Sequence, residues 1–397
     1  MEGIVMLKEW KSKRQLSLFV ALALSAGGGG LLSDFQYAYA ADVTGGDVVV
    51  DAGHPAPTPV AAGNAHDIPG ATDNRNVTGN KLTLDNVNVP GSLYGGYTSG
   101  NGAATHNTII LKNSIDLTST RLYGGYSAGG GDARTGNTLR VTTSGNGAES
   151  IYNFEKLQFD LSSGVNSGDT MFTLRTWHGA ANVFDWSNVS VNNASTWASG
   201  STGTKRITLL DFQDVGYPLG MNNYTLAGGT VNGDIEYGIR TDSTATSGNI
   251  GFTKLYFDVN KFKNANVVYG GADATATLPS SGTIYGGTST LGNTTTKNKL
   301  TLDGVTFTPG SGVGVIGGYN QTALGNSTDN EVILKNGAVV NGRVYGGYTE
   351  GNGTATNNTV TLSGFNEQTN ARLYGGHSTG GGDARTGNTL RVTTSGN

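Results

Sequence analysis

The chain of 397 residues has no cysteine, which excludes disulfides and thiolate metal sites. Charged residues make up only 14% of it, against the usual proportion of about a quarter. Lys and Arg number 25 and Asp and Glu 29, a balance that offers no basic patch and excludes nucleic acid as a partner. The one apolar run of note, Leu16 to Ala26, spans 11 residues, where a bilayer needs about 20. No window beyond the N-terminus carries an apolar stripe of helical period, so helices should be nearly absent. The histidines His54, His66, His106, His178 and His377 are scattered without metal-ligand spacing, and no metal or cofactor is expected.

What the chain does contain is repetition. Leu122 to Asn146 recurs 251 positions later as Leu373 to Asn397, with 23 of 25 residues identical and changes only at Tyr126/His377 and Ala128/Thr379. A globular core rarely tolerates such duplication, because each of its positions packs against different neighbours. A solenoid does, because every repeat meets another repeat.

The duplication rests on a finer period. A hydrophobic-Tyr-Gly-Gly step occurs at Leu93–Gly96, Leu122–Gly125, Val268–Gly271, Ile284–Gly287, Val344–Gly347 and Leu373–Gly376, and Val315–Gly318 has Ile316 in the Tyr place. The second residues mostly lie 29 or 31 apart, with a short interval of 16 between Tyr269 and Tyr285. Except after Tyr269, a second signal follows 13 or 14 residues later and begins at Asn107, Asn137, Asn298, Asn330, Asn358 or Asn388. Asn80 opens a further copy at the front. After each Asn, apolar residues alternate with polar ones, as in Leu300-Thr301-Leu302, the mark of a half-buried strand.

Each unit therefore reads as strand, Gly-rich turn, strand, turn. Gly95-Gly96 and its equivalents are expected to take positive φ and to turn the chain sharply out of the strand. Propeller blades need about 40–50 residues, longer than this period. Two-residue hairpin turns are missing. The expected fold is all-β: a parallel β-helix, or β-solenoid, of Gly/Asn/Thr-rich repeats. At a period of 29, the 357 residues after position 40 would make about 12 coils and a rod of roughly 60 Å.

Lys8, Lys11, Lys13 and Arg14 precede the apolar run, and Ala38-Tyr39-Ala40 supplies an A-x-A cleavage site. Residues 1–40 read as a secretory signal peptide cut between Ala40 and Ala41. Residues 41–75, with Pro55, Pro57, Pro59 and Pro69, read as an irregular leader or cap. Residues 76–146 and 268–397 are repeat blocks, the second expected to continue past the chain end. Residues 147–267 lose the Tyr-Gly-Gly punctuation and gather Trp177, Trp186, Trp197 and seven Phe, including Phe159, Phe212 and Phe257. They read as degenerate coils with a larger core, with a binding insertion as the sharper alternative.

The signal peptide, the Tyr-Gly-Gly repeats, Ile151 to Phe159 (IYNFEKLQF) and Ser167 to Met171 (SGDTM) together resemble passenger regions of Gram-negative autotransporter adhesins, of the type V secretion class. The resemblance covers most of residues 76–397. It implies a β-helical passenger exported by the Sec route, displayed at the cell surface, and carried by a C-terminal outer-membrane β-barrel translocator. That barrel is not visible in this chain. The ligand would be a surface component of host cells, other bacteria or matrix.

Catalytic patterns are weak. Gly125–Gly129 and Gly376–Gly380 match G-x-S-x-G, but both fall in a repeat turn, and sister copies hold Thr98 and Thr349 at the Ser place. Gly129-Gly130-Gly131-Asp132 lacks the spacing of calcium-binding nonapeptides. Asp132 and Asp383 read as turn caps. Two function classes remain. The first is an exported adhesive or structural rod, not an enzyme, whose uncapped strand edges would also allow self-association. The second is an exported polysaccharide lyase or hydrolase on the same scaffold, with Asp, Lys or Arg clustered on one outer face. Arg134, Arg140, Arg385 and Arg391 are too sparse for that and read as outward residues.

Overall fold

A computed structural model describes residues 43–44, 46–50, 60–65, 74–87, 89, 91–113, 115–176, 186–199, 204–213, 219–221, 229–241, 244–246, 249–310, 314–364 and 370–393. Strands take up 52% and helix 3%, and the chain winds into a parallel β-solenoid of about nine turns. In the C-terminal block one coil runs Ile284–Ser289, Thr295–Thr296, Lys299–Asp303, Thr306–Phe307, and the next begins at Val315–Asn320. Ile284, Val315, Val344 and Leu373 lie over one another in register, and so do Leu300, Val332, Val360 and Leu390. In the N-terminal half, Asp47–Val50, Lys81–Asp85, Thr108–Lys112, Thr138–Val141, Lys156–Asp160 and Val189–Asn192 form one six-stranded parallel sheet.

Alternation supplies the core. In Lys81–Asp85, Leu82 and Leu84 are fully buried and the residues between them half-buried, and each coil adds two such side chains to a continuous apolar column. Two columns result, one from Leu82 to Val259 and one from Val267 to Val360.

The Tyr-Gly-Gly step does not leave the strand. It lies inside strands such as Gly91–Thr98 and Arg343–Thr349, and its glycines are not among the residues of positive φ. The reason for glycine is space. A Cβ on Gly96 would stand 2.5 Å from the Asn107 side-chain amide, and one on Gly376 would stand 2.5 Å from that of Asn388. A Cβ on Gly124 would strike the Asn153 carbonyl of the next coil at 2.5 Å. The two sequence signals are thus halves of one lock: the Asn that follows each step by 13 or 14 residues packs against that step's own glycines.

The short interval of 16 has its explanation here as well. Val268-Tyr269 belongs to the other sheet, where Tyr269 pairs with Leu302, and Gly270 and Gly271 do take φ of +79° and +68°. That copy alone turns as the sequence led us to expect.

The asparagines stack. Asn298 N–H donates to Asn330 Oδ1 at 3.1 Å, Asn330 N–H to Asn358 Oδ1 at 3.0 Å, and Asn358 N–H to Asn388 Oδ1 at 2.8 Å. In the first block Gly46 N–H donates to Asn80, Asn80 to Asn107 and Asn107 to Asn137 in the same way. Each side-chain amide also donates to a carbonyl, as Asn330 Nδ2 does to Thr295 O at 3.0 Å. Buried amides of this kind are stable only because both ends are satisfied.

The expected 12 coils exceed what forms, because residues 205–261 pair differently. Lys205–Phe212 joins Thr170–Leu174 in parallel but meets Lys254–Lys261 antiparallel, and Ile235–Thr241 and Thr230–Asn232 follow antiparallel beyond it. Residues 147–176 still stack as coils: Ser150–Tyr152 lies on Thr120–Tyr123, and Lys156–Asp160 on Thr138–Val141. Phe159, Phe172, Phe212 and Phe257 are core. The antiparallel part is pinned by Arg206, whose guanidinium grips Asp258 through two bonds of 2.6 Å. It is pinned to the second block by Glu236, a fully buried carboxylate. Glu236 accepts from Ser289 Oγ at 2.8 Å, Thr290 N–H at 2.6 Å, Leu291 N–H at 3.2 Å and Asn293 Nδ2 at 2.8 Å.

Asn330→Ala should destabilise the chain by about 3 kcal/mol in denaturant unfolding, since it strands the Asn298 N–H and the Thr295 carbonyl. A change under about 1 kcal/mol would mean the ladder contributes little. Glu236→Gln puts an N–H₂ among donors. Hydrogen exchange at Thr290 and Leu291 should quicken while amides of later coils, such as that of Val332, stay protected; unchanged exchange would refute the anchoring role.

Candidate binding surface

The glycine pair shifts the inward–outward alternation by one place. In Gly91–Thr98, Leu93 and Thr98 point in, Gly95 and Gly96 are both buried, and Tyr94 and Tyr97 both stand half-buried outside. Parallel stacking then repeats each tyrosine along the rod. Tyr94, Tyr123 and Tyr152 make one row, with ring centroids 5.0 Å and 4.6 Å apart and planes within 25° and 9°. Tyr97 and Tyr126 make a second, 5.4 Å apart and within 7° of parallel. The second row is turned against the first, by 67° between Tyr97 and Tyr94 and by 87° between Tyr126 and Tyr123. Such edge-to-face packing suits the ring quadrupoles. All five rings remain half-buried, and burial together with neighbouring phenols raises the pKa of Tyr97 and Tyr123.

The second block breaks the rows: Ile316 stands between Tyr285 and Tyr345 in the first, and Thr288 precedes Tyr319 and Tyr348 in the second, so the Tyr285–Tyr319 stack runs between rows. Tyr285 stacks on Tyr319 at 5.0 Å, and Tyr345 on Tyr374 at 4.8 Å, but Tyr345 is only 2% exposed and Tyr348 8%. The Tyr319 hydroxyl bonds Glu350, and burial and then that carboxylate push its pKa far up. His377 takes the Tyr126 place and sits 5.0 Å from Tyr348. Tyr285, Tyr374 and His377 are half-buried like the rings of the first block, so what sets the first block apart is two unbroken rows of half-buried tyrosines.

The residues singled out from sequence lie elsewhere. Ser127 Oγ donates to Gly100 O at 2.9 Å and accepts from Gly131 N–H at 2.9 Å, and Ser378 repeats both bonds with Gly351 and Gly382. Both hydroxyls staple turns. The Thr135 hydroxyl, and then the Arg134 and Thr135 N–H groups, hold the Asp132 carboxyl below its ordinary pKa, and the Thr386 hydroxyl, and then the Arg385 and Thr386 N–H groups, do the same for Asp383. Arg140 is half-buried and pairs with Asp160 of the following coil at 2.6 Å. Among the described residues no group of three or more His, Cys, Asp and Glu could hold a metal ion, and no helix is long and apolar enough to cross a membrane. Ala40 and Ala41 lie outside the described residues. Sequence reasoning missed the second tyrosine row. Its signal was present in the fourth residue of Tyr94-Gly-Gly-Tyr97, read only as far as the glycines.

Comparison with protein-family models, curated proteins and solved structures finds no match for this chain.

Burial, and then Arg343, lowers the pKa of His377 below its ordinary 6.5. A base so shifted gives full stability above about pH 6.5; as pH falls through that value the unfolded chain binds the proton first and stability drops. Melting temperature should fall between pH 7.5 and 5.5, and His377→Tyr, the residue of the sister copy, should remove part of that fall. An identical fall in both proteins would show that His377 is not responsible.

Proposed function

We propose that this chain is an exported, surface-displayed rod of the autotransporter-passenger kind that acts by adhesion. The observation that supports the reading is the repetition of outward side chains. Parallel coils place the same residues one strand apart on one face, so a ligand with its own repeat meets many equal contacts. Each contact can be weak while their sum is strong. The scaffold by itself does not define activity. The half-buried tyrosines are the chemically distinctive part of that face, with broad apolar rings and hydroxyl tips.

The sequence supports export through the signal peptide ending at Ala40, and display through the resemblance to autotransporter adhesins. A chain without cysteine suits this setting, because ladders and core burial replace disulfides.

Beads coated with the purified exported protein should be retained on layers of host cells, bacteria or matrix, and soluble protein should compete them off. Retention equal to albumin-coated beads would count against adhesion. Release of soluble saccharide, abolished by one carboxylate substitution, would replace it with the enzyme reading.

A further inference from the structure

The duplicated 25 residues build the same strands twice, and only the first copy is covered. In the first block Ser150–Tyr152 lies on Arg121, Leu122 and Tyr123, and Lys156–Asp160 lies on Thr138–Val141. Beneath them Leu139 and Val141 are 1% exposed. The copies Leu390 and Val392 are 57% and 56% exposed, and Leu373 is half-buried where Leu122 is fully buried. Arg372–Ser378 and Thr389–Thr393 are the last strands of their sheets. Large apolar side chains on an unpaired strand edge mark a face built to be covered.

The covering segment of the first block makes specific contacts. Asp160 pairs with Arg140 at 2.6 Å, and Glu149 with Arg121 at 3.6 Å. Tyr152 stacks on Tyr123 at 4.6 Å, and Glu155 accepts from the Gly136 N–H. The Tyr152 carbonyl accepts from the Gly124 N–H at 2.9 Å. The copy keeps every receiving group: Arg391 for Arg140, Arg372 for Arg121, Tyr374 for Tyr123, Gly387 for Gly136 and Gly375 for Gly124. Among the described residues Arg372 and Arg391 make no ion pair, and Tyr374 is stacked on Tyr345 alone.

A second copy of the chain stacked end to end does not supply the missing groups. Coil register gives its Ala61 the place of Tyr152 and its Gly46 the place of Glu155, so it brings neither the ring nor that carboxylate.

We infer that the edge formed by Arg372–Tyr374 and Thr389–Val392 docks a polypeptide segment with the chemistry of residues 149–160. That chemistry is an acid, an apolar-Tyr pair, a Glu, then a strand of alternating apolar residues closed by an Asp. Its acids meet Arg372, Gly387 and Arg391, its ring meets Tyr374, and its apolar residues bury Leu373, Leu390 and Val392. Such docking adds strands to the rod whatever the outer face adheres to.

The test is fluorescence anisotropy of a labelled synthetic peptide of residues 147–161 titrated with the purified exported protein. Saturable binding is expected, with slower hydrogen exchange at the Gly375 and Gly387 amides in the complex. Asp160→Arg in the peptide should weaken binding by about tenfold, and Arg391→Asp in the protein should recover that loss. Leu390→Asp with Val392→Asp should abolish binding. Should that double variant lose its cooperative melt, the charge exchange decides by itself. No saturable binding, binding indifferent to Asp160→Arg, or a loss that Arg391→Asp does not recover overturns the inference. Self-association of the protein alone that Leu390→Asp removes would assign the edge to a second copy and overturn it too.

Discussion

The buried asparagine ladder is the constraint on which the rest depends. Each Asn spans the gap between coils with its backbone N–H and closes it with its own Oδ1, so one residue type sets the rise of the solenoid. An amide buried at 0–1% exposure is costly unless satisfied, and here every rung satisfies the one before it. The ladder also dictates what faces it. Only glycine leaves room for the asparagine amide, so two glycines stand opposite Asn107, Asn137, Asn298, Asn330, Asn358 and Asn388. The outward tyrosines follow from that demand, because the glycine pair resets the alternation and places two rings outside where a regular strand would place one.

Structure and surface are thereby coupled. The interior fixes a step equal to the strand spacing, and the exterior inherits it as rows of stacked rings. A ligand that repeats at the same step is read many times over. Where Glu350 bonds the Tyr319 hydroxyl and Arg343 lies beside Tyr345, the rings of Tyr319, Tyr345 and Tyr348 are buried, while Tyr285 and Tyr374 stay half-buried. Two blocks built on one repeat thus differ in how far their rings are buried.

The middle of the chain shows how far repetition can be abandoned. Residues 150–160 still stack, covering Leu139 and Val141 with Leu157 and Phe159. Thr170–Leu174, Val189–Asn192 and Lys205–Phe212 still join in parallel, and only past them do the strands reverse direction. Two carboxylates then carry the alignment that the ladder carried before: Asp258 through Arg206, and Glu236 through five polar groups of residues 289–293. A buried carboxylate with so many donors resists replacement, since removing either side strands the other.

The fold class was legible in the sequence because its cause is local and periodic. Alternation in Leu300-Thr301-Leu302, the 13 or 14 residues from each Tyr to its Asn, and the duplicated 25 residues all act within one coil and its neighbour. The role of the glycines was not legible, since crowding by Asn107 or Asn388 is a contact across the coil, and a Gly-Gly pair looks the same in a turn as in a tight strand. Nor was the false step at Tyr269, which differs only in the sheet it joins. The reversal after Lys205 and the anchoring of Glu236 link positions some 50 residues apart, beyond any periodic signal. The candidate face was half legible. Its tyrosines repeat in plain sight, but which rows stay open is decided by packing, because exposure depends on neighbours that only the folded chain assembles.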